Sequence, residues 1–139
     1  MDHGLLMFST DYAIHPAELA RAAEERGFES LFFTEHTHIP ASRLSPWPGG
    51  PALPKEYWHT NDLFVALSFA AAATTRIKLG TGICLVIEHD PISLAKQVAT
   101  LEYRRAAVDR VIFALPPQDR DAVLPLMDRH AELVRALEG

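Results

Sequence analysis

The sequence has almost no cysteine and no apolar segment long enough to cross a bilayer. Cys84 is the single cysteine, so no internal disulfide can form. The longest apolar run, Leu63 to Ala73, is interrupted by Ser68 and is shorter than the roughly 20 residues that a membrane span requires. The opening stretch, MDHGLLMFST, lacks the basic and apolar regions of a signal peptide. These features predict a cytoplasmic protein without membrane spans.

Basic residues are in the minority as well. The chain has 13 Lys and Arg against 18 Asp and Glu, for a net charge of −5, and the basic residues are scattered. Such a distribution does not attract nucleic acid or an anionic membrane, so we expect neither as a partner. At 139 residues and 48% hydrophobic composition, the chain suits one domain with a real core. We therefore predict a single domain over residues 1–139.

Short β-rich runs alternate with segments of helical period along this domain. Strands are predicted over Gly4 to Ser9, Glu29 to Thr34, Ile77 to Ile87 and Asp109 to Leu115. Helices are predicted in the segment between Pro16 and Gly27, from Asp62 to Thr75, from Pro91 to Ala107, and from Asp119 toward Leu137. A proline-rich loop separates the second strand from the second helix. Strands that are each followed by a helix predict an α/β fold of parallel βα units, with about four strands and four helices.

Ionisable side chains gather where the second and third predicted strands end. The stretch FFTEHTHIP carries Glu35, His36 and His38, and the third strand is followed by Glu88 and His89. The carboxyl ends of parallel strands meet at one rim of the sheet, where α/β enzymes place their working groups. The sequence therefore predicts a functional site at this rim.

The histidines of that rim also permit a metal site. Alternate residues of an extended segment point the same way, so His36 and His38 can begin a zinc site of the kind found in barrel hydrolases. His89 or Glu88 can add a ligand, but the fourth strand offers only Asp119. A zinc-dependent hydrolase is therefore our third hypothesis, and we assign no residue as a metal ligand.

Three stretches carry a resemblance to a known family. FFTEHTHIP, YWHTNDLFVALSFAAAATTRIKLGTGICLV and EHDPISLAKQVATLE together resemble the N-terminal part of the luciferase-like flavin and deazaflavin oxidoreductases, above all the subgroup that uses coenzyme F420. Residues 103–139 resemble the last βα unit of that family. The family fold is an eight-unit TIM barrel of roughly 250 residues. The resemblance thus implies a shortened, half TIM-barrel-like domain, in which units one to three (1–102) are joined to the last unit (103–139).

The resemblance also implies a chemistry and a set of site residues. It implies hydride transfer or monooxygenation of a small organic substrate, with coenzyme F420 or FMN as cofactor. It gives catalytic roles to His36 and Glu35 and implies a cis peptide between Gly82 and Ile83. The cofactor contacts that we carry over are Thr81, Gly82, Ile83 and His89. The plain alternatives are that His36 and His38 are solvated loop residues and that His89 only caps the third helix, although Asp90, which precedes Pro91, fits the capping position better.

Two further expectations follow from the shortening. The resemblance implies that the part of the family fold that grips the cofactor phosphate has no counterpart here, so impaired activity is one expectation, and a non-catalytic relic or interaction fragment is the alternative to an enzyme. Four parallel strands leave two free edges and an apolar inner face that the helices of this chain cannot cover. Because that face and the apolar helix Leu63 to Ala73 both need a partner surface, we predict a homodimer.

Overall fold

The computed structural model describes residues 3–42, 47, 49–50, 52–103 and 108–110. Strands β1 (Gly4–Met7), β2 (Ser30–Phe33), β3 (Lys78–Thr81) and β4 (Val108–Arg110) form one parallel sheet in the order β1-β2-β3-β4. Helices α1 (Pro16–Glu25), α2 (Leu63–Ala73) and α3 (Pro91–Tyr103) lie between successive strands along the chain. The predicted alternation is confirmed over this part. The predicted fourth helix and most of the predicted fourth strand lie outside the described residues.

Aspartate side chains cap the starts of α2 and α3. The Asp62 carboxylate accepts a hydrogen bond from the backbone N–H of Val65 at 2.9 Å, at the start of α2. Asp90 accepts one from the backbone N–H of Ser93 at 2.8 Å, and this bond holds the pKa of the Asp90 carboxyl below its usual value. The predicted capping role of Asp90 is confirmed. After α1, Gly27 takes a φ of 77°, which is the left-handed conformation that glycine adopts at helix ends.

The third strand is much shorter than its hydrophobicity predicts. We predicted a strand from Ile77 to Ile87, but β3 ends at Thr81. The peptide between Gly82 and Ile83 is cis, as the family resemblance implied, and the chain then turns into a 3₁₀ helix over Val86–Glu88. Cys84 in this turn is fully buried. The apolar run therefore reflects burial of a turn, which periodicity alone does not separate from burial of a strand.

The helices cover one face of the sheet. Leu31 and Phe33 of β2 are fully buried in a core that they share with residues of α1, α2 and α3. Because successive strand residues point to opposite faces, Leu6 and Phe32 lie on the other face, where Leu6 is 62% exposed. The described residues thus leave one apolar sheet face open. None of the helices in this part of the chain is long and apolar enough to cross a membrane.

Glu24 ties α1 to the segment that leads into β3. Its Oε2 accepts hydrogen bonds from the backbone N–H groups of Thr75, Arg76 and Ile77 at 3.1, 2.6 and 2.9 Å. These bonds, the one from Ile77 foremost, hold the pKa of Glu24 below its usual value. The carboxylate therefore contributes to stability in its ionised form.

We expect Glu24→Gln to lower the free energy of unfolding by about 1–2 kcal/mol, because charge-assisted hydrogen bonds become neutral ones at a partly solvated site. Urea denaturation measures this, with the exposed neighbour Glu25→Gln as control. The folded pKa of Glu24 is lowered, so its contribution is present above the unfolded pKa and is lost as pH falls through the folded pKa. A difference between wild type and Glu24→Gln that stays constant from neutral to strongly acidic pH would contradict this assignment.

Candidate functional site

Glu35 joins the end of β2 to the segment that follows β3. Its side chain is only 4% exposed and its Oε1 lies 2.9 Å from Nε2 of His89, which donates to it. Its Oε2 accepts a hydrogen bond of 2.6 Å from the backbone N–H of Leu85. A buried carboxylate is stable only when donors satisfy its oxygens. The pair of Glu35 and His89 therefore fixes the position of the turn after β3 relative to β2.

Cys84 completes this buried cluster. The donor atoms of Glu35, Cys84 and His89 lie within 4.8 Å of one another, and no other group of potential metal ligands this close occurs among the described residues. Burial raises the pKa of the Cys84 thiol and the negative charge of Glu35 raises it further, so the thiol stays protonated at neutral pH. The Glu35 carboxylate accepts hydrogen bonds from His89 and from the backbone N–H of Leu85, so hydrogen bonding accounts for the positions of the Glu35 and His89 side chains.

His36 packs with two aromatic side chains, Phe8 and Tyr57, in one cluster at the same rim. Its ring is parallel to that of Phe8 within 5° at a centroid distance of 6.2 Å, and the ring of Tyr57 is 4.6 Å away. Phe8 and Tyr57 also contact each other, at 5.1 Å. Burial lowers the pKa of His36, while Glu88 and Glu35 act in the opposite direction. The net lowering leaves a neutral imidazole at pH 7, which can accept or donate a proton.

The residues that follow His36 are held by Glu88, the last residue of the 3₁₀ helix Val86–Glu88. Glu88 accepts hydrogen bonds from both the backbone N–H and the hydroxyl of Thr37. The Thr37 hydroxyl also lies 2.7 Å from Nδ1 of His38, whose side chain is 68% exposed. The expectation that His38 is a solvated loop residue is confirmed. His36 and His38 belong to no metal-ligand group in the described residues, so the zinc hypothesis finds no support in the histidine pair that prompted it.

Beside this rim, Leu6 and Phe32 form an apolar surface on the open face of the sheet, over Gly80 and Gly82. We call this surface the apolar floor. A β-carbon at Gly80 would lie 2.5 Å from the Phe32 ring, and one at Gly82 would lie 2.6 Å from a methyl group of Leu6. The two glycines therefore let Phe32 and Leu6 lie against the backbone of β3 and of the turn that follows it. The result is the apolar floor, formed by Leu6 and Phe32 on the open face of the sheet.

The structure brings together part of the predicted site and adds to it. Glu35 and His89 are in direct contact, whereas His36 contacts Phe8 and Tyr57. Thr81 is 1% exposed and its hydroxyl has no hydrogen-bond partner among the described residues. The cofactor contacts assigned to Thr81, Gly82, Ile83 and His89 stay predictions. Sequence reasoning missed Phe8, which belongs to the first predicted strand, and Tyr57, because no periodicity in the proline-rich loop shows which of its aromatic side chains returns to the rim.

Comparison with known proteins places these observations in a family. The sequence profile described as luciferase-like monooxygenase matches residues 11–134. The chain is 46% identical over 106 residues to an uncharacterized protein of Mycobacterium tuberculosis, and the match covers 74% of this chain and 38% of that protein. The same values hold for an uncharacterized protein of Mycobacterium bovis. The chain thus spans less than two fifths of the length of these curated relatives.

Solved structures with the same fold include three enzymes. The monooxygenase RslO1 of Streptomyces bottropensis is 25% identical with a TM-score of 0.65, over 99% of this chain and 42% of that one. The coenzyme F420 dependent tetrahydromethanopterin reductase of Methanopyrus kandleri is 24% identical with a TM-score of 0.57, over 91% and 30%. The oxygenating constituent of 3,6-diketocamphane monooxygenase of Pseudomonas putida, in complex with FMN, is 17% identical with a TM-score of 0.59, over 99% and 39%.

Proposed function

This chain belongs to the luciferase-like monooxygenase family, and on that premise we propose that it is an oxidoreductase that binds coenzyme F420 or FMN and uses His36 to handle a proton of a small organic substrate. The observation that carries the proposal is the half-buried, neutral imidazole of His36 at the carboxyl end of β2, beside an apolar floor. A neutral imidazole is the form that acts as a general base near pH 7.

The described residues fit the planar ring system of such a cofactor. The apolar floor formed by Leu6 and Phe32 over Gly80 and Gly82 has the chemistry that an isoalloxazine-like ring requires. Two of the solved relatives support the choice of cofactor, since one is named as F420 dependent and another is in complex with FMN. When bound, the cofactor supplies the hydride or oxygen chemistry.

The side chains of the protein have separate roles beside the cofactor. His36 accepts or donates the substrate proton, and the rings of Phe8 and Tyr57 shield it from water. Glu35 takes no proton itself in this scheme. It holds the Gly82–Ile83 turn and His89 in place through its bonds to Leu85 and His89, so that these residues are available to the cofactor. The catalytic role that the resemblance gives to Glu35 is therefore, in this proposal, the positioning of the turn beside the reacting groups.

Binding of both cofactors can be measured directly by fluorescence titration. We expect a Kd on the order of micromolar for coenzyme F420 or for FMN. Riboflavin, which lacks the phosphate, is the matched control for FMN. It should bind within a few-fold of FMN, because the described site offers a floor for the ring and the resemblance places the phosphate-gripping segments outside this chain. If neither cofactor binds at concentrations on the order of 100 μM, the non-catalytic relic is the better interpretation.

We also propose that the chain forms a homodimer through α2 and α3. Val65 and Phe69 on α2 are 54% and 50% exposed, and a groove of about 440 Å³ between the two helices is lined by Val65, Lys96 and Leu101 among others. Exposed apolar side chains on a helix are typical of an interface. Light scattering coupled to size exclusion should give about twice 15.4 kDa. Val65→Asp should shift the protein toward monomer, and a monomeric wild type at micromolar concentration would refute the dimer.

The division of the domain is a further part of this proposal. Residues 1–102 correspond to the first three βα units of the family and residues 103–139 to its last unit. The pairing of β4 with β3 agrees with a chain in which the segment after α3 returns to the next position in the sheet.

A further inference from the structure

We propose that Asp11 and His59 are positioning residues, whose hydrogen bond fastens the 3₁₀ turn Lys55–Trp58 to the segment that follows β1 and thereby holds Tyr57 against His36. We call Lys55–Trp58 the Tyr57 turn. The inference deepens the proposed function, on which it rests for its relevance to catalysis. The geometry of the contact itself is independent of any cofactor.

The chain immediately after the Tyr57 turn is paired with the chain after β1. Nδ1 of His59 donates to Oδ1 of Asp11 at 2.9 Å. Thr60 forms an antiparallel bridge with Thr10. The backbone N–H of Asn61 donates to the carbonyl oxygen of Ser9 at 2.8 Å, and its side-chain amide reaches the Ser9 hydroxyl at 3.1 Å. Residues 59–61 therefore run antiparallel to residues 9–11, with the hydrogen bond between His59 and Asp11 at the end nearest the Tyr57 turn.

The start of the Tyr57 turn is attached to the same segment. Nζ of Lys55 lies 4.1 Å from the centre of the Tyr12 ring, and the Tyr12 ring contacts the imidazole of His59 at 5.4 Å. Tyr12 thus contacts Lys55, the first residue of the turn, and His59, the residue that follows the turn. Asp11 accepts a hydrogen bond from His59 as well. Between these two attachments, Tyr57 packs on His36 and on Phe8.

If the Tyr57 turn loses its attachment to Asp11, the pKa of His36 should change in a defined direction. The charged groups that act on His36 are Glu88 and Glu35, and both raise its pKa, whereas burial lowers it. Tyr57 is part of the cover that buries the imidazole. If the turn loosens, the cover opens, water solvates the imidazolium, and the pKa of His36 rises toward that of an exposed histidine. The Asp11–His59 pair is partly exposed, with side-chain exposures of 65% and 37%, so its removal should open the cover only part of the time.

The test is an NMR titration of the His36 ring C–H, assigned by its absence in His36→Asn. We expect Asp11→Asn and His59→Gln each to raise the pKa of His36 by about half a pH unit, and the double variant to raise it no further than either single variant. Tyr57→Ala should give the largest rise, and Tyr57→Phe, which keeps the ring, should match wild type. His3→Gln is the control for loss of an exposed histidine and should change nothing.

The sign of the shift separates positioning from a direct charge effect. Removing the negative charge of Asp11 by itself would lower the pKa of His36, since a nearby anion favours the imidazolium. A rise in Asp11→Asn therefore supports the positioning role. If Asp11→Asn and His59→Gln leave the His36 titration at its wild-type value while Tyr57→Ala raises it, the inference is overturned. That result leaves the proposed function untouched, because cofactor binding to the wild-type protein decides the latter.

Discussion

His36→Ala is expected to lower cofactor-dependent turnover by about 100-fold or more, which is the size of a general acid–base contribution. His36 is the imidazole at the rim that burial keeps neutral and that lies against two aromatic rings. Its removal deletes the proton acceptor but leaves the buried network around Glu35 intact. Turnover is followed by the absorbance of coenzyme F420 or flavin with a panel of small alcohols and ketones. Far-UV circular dichroism verifies that the variant is folded.

His38→Ala is the matched control, because His38 lies two residues away and its side chain is 68% exposed. It should keep turnover within a few-fold of wild type. The pH profile adds a second criterion. A base with a lowered pKa stays deprotonated to lower pH, so kcat/KM should fall only below the ordinary histidine value of 6.5. Full activity of a folded His36→Ala protein would remove His36 from the mechanism.

Glu35→Ala is expected to lower the free energy of unfolding by about 3 kcal/mol, because it removes a buried carboxylate that accepts two hydrogen bonds and leaves both partly buried donors unsatisfied. The substitution leaves the imidazole N–H of His89 and the backbone N–H of Leu85 without their acceptor in a buried site. A small domain has a net stability of about 5–15 kcal/mol, so this loss removes a large part of it. Thermal and urea denaturation measure the effect.

Glu25→Ala, on the exposed side of α1, is the control and should change the stability by less than about 0.5 kcal/mol. A double-mutant cycle with His89→Ala tests whether Glu35 and His89 stabilise each other or whether each contributes to stability separately. If Glu35 and His89 stabilise each other, the double variant should be less destabilised than the sum of the single variants. Additive losses, or a Glu35→Ala protein as stable as wild type, would show that the pair does not hold the turn after β3.

The sequence by itself determined the order of the elements and predicted where the candidate site lies. Alternating β-rich and helical segments predicted parallel βα units, because each pattern is set by local backbone geometry and by which face of the element is apolar. The capping of α3 by Asp90 was likewise local, since the cap and its partner Ser93 are three residues apart. The rim with Glu35 and His36 followed from topology, because parallel strands end on one side of a sheet.

Only the tertiary structure decided which of the rim residues contact one another. Glu35 and His89 are 54 positions apart in sequence, and nothing local distinguishes His89 as an ion-pair partner from His89 as a helix cap. The end of β3 at Thr81 was equally hidden, since a buried turn is as apolar as a buried strand. Tyr57 reaches His36 only because residues 59–61 pair with residues 9–11. Such contacts depend on the packing of segments distant in sequence, and local propensity carries no information about that packing.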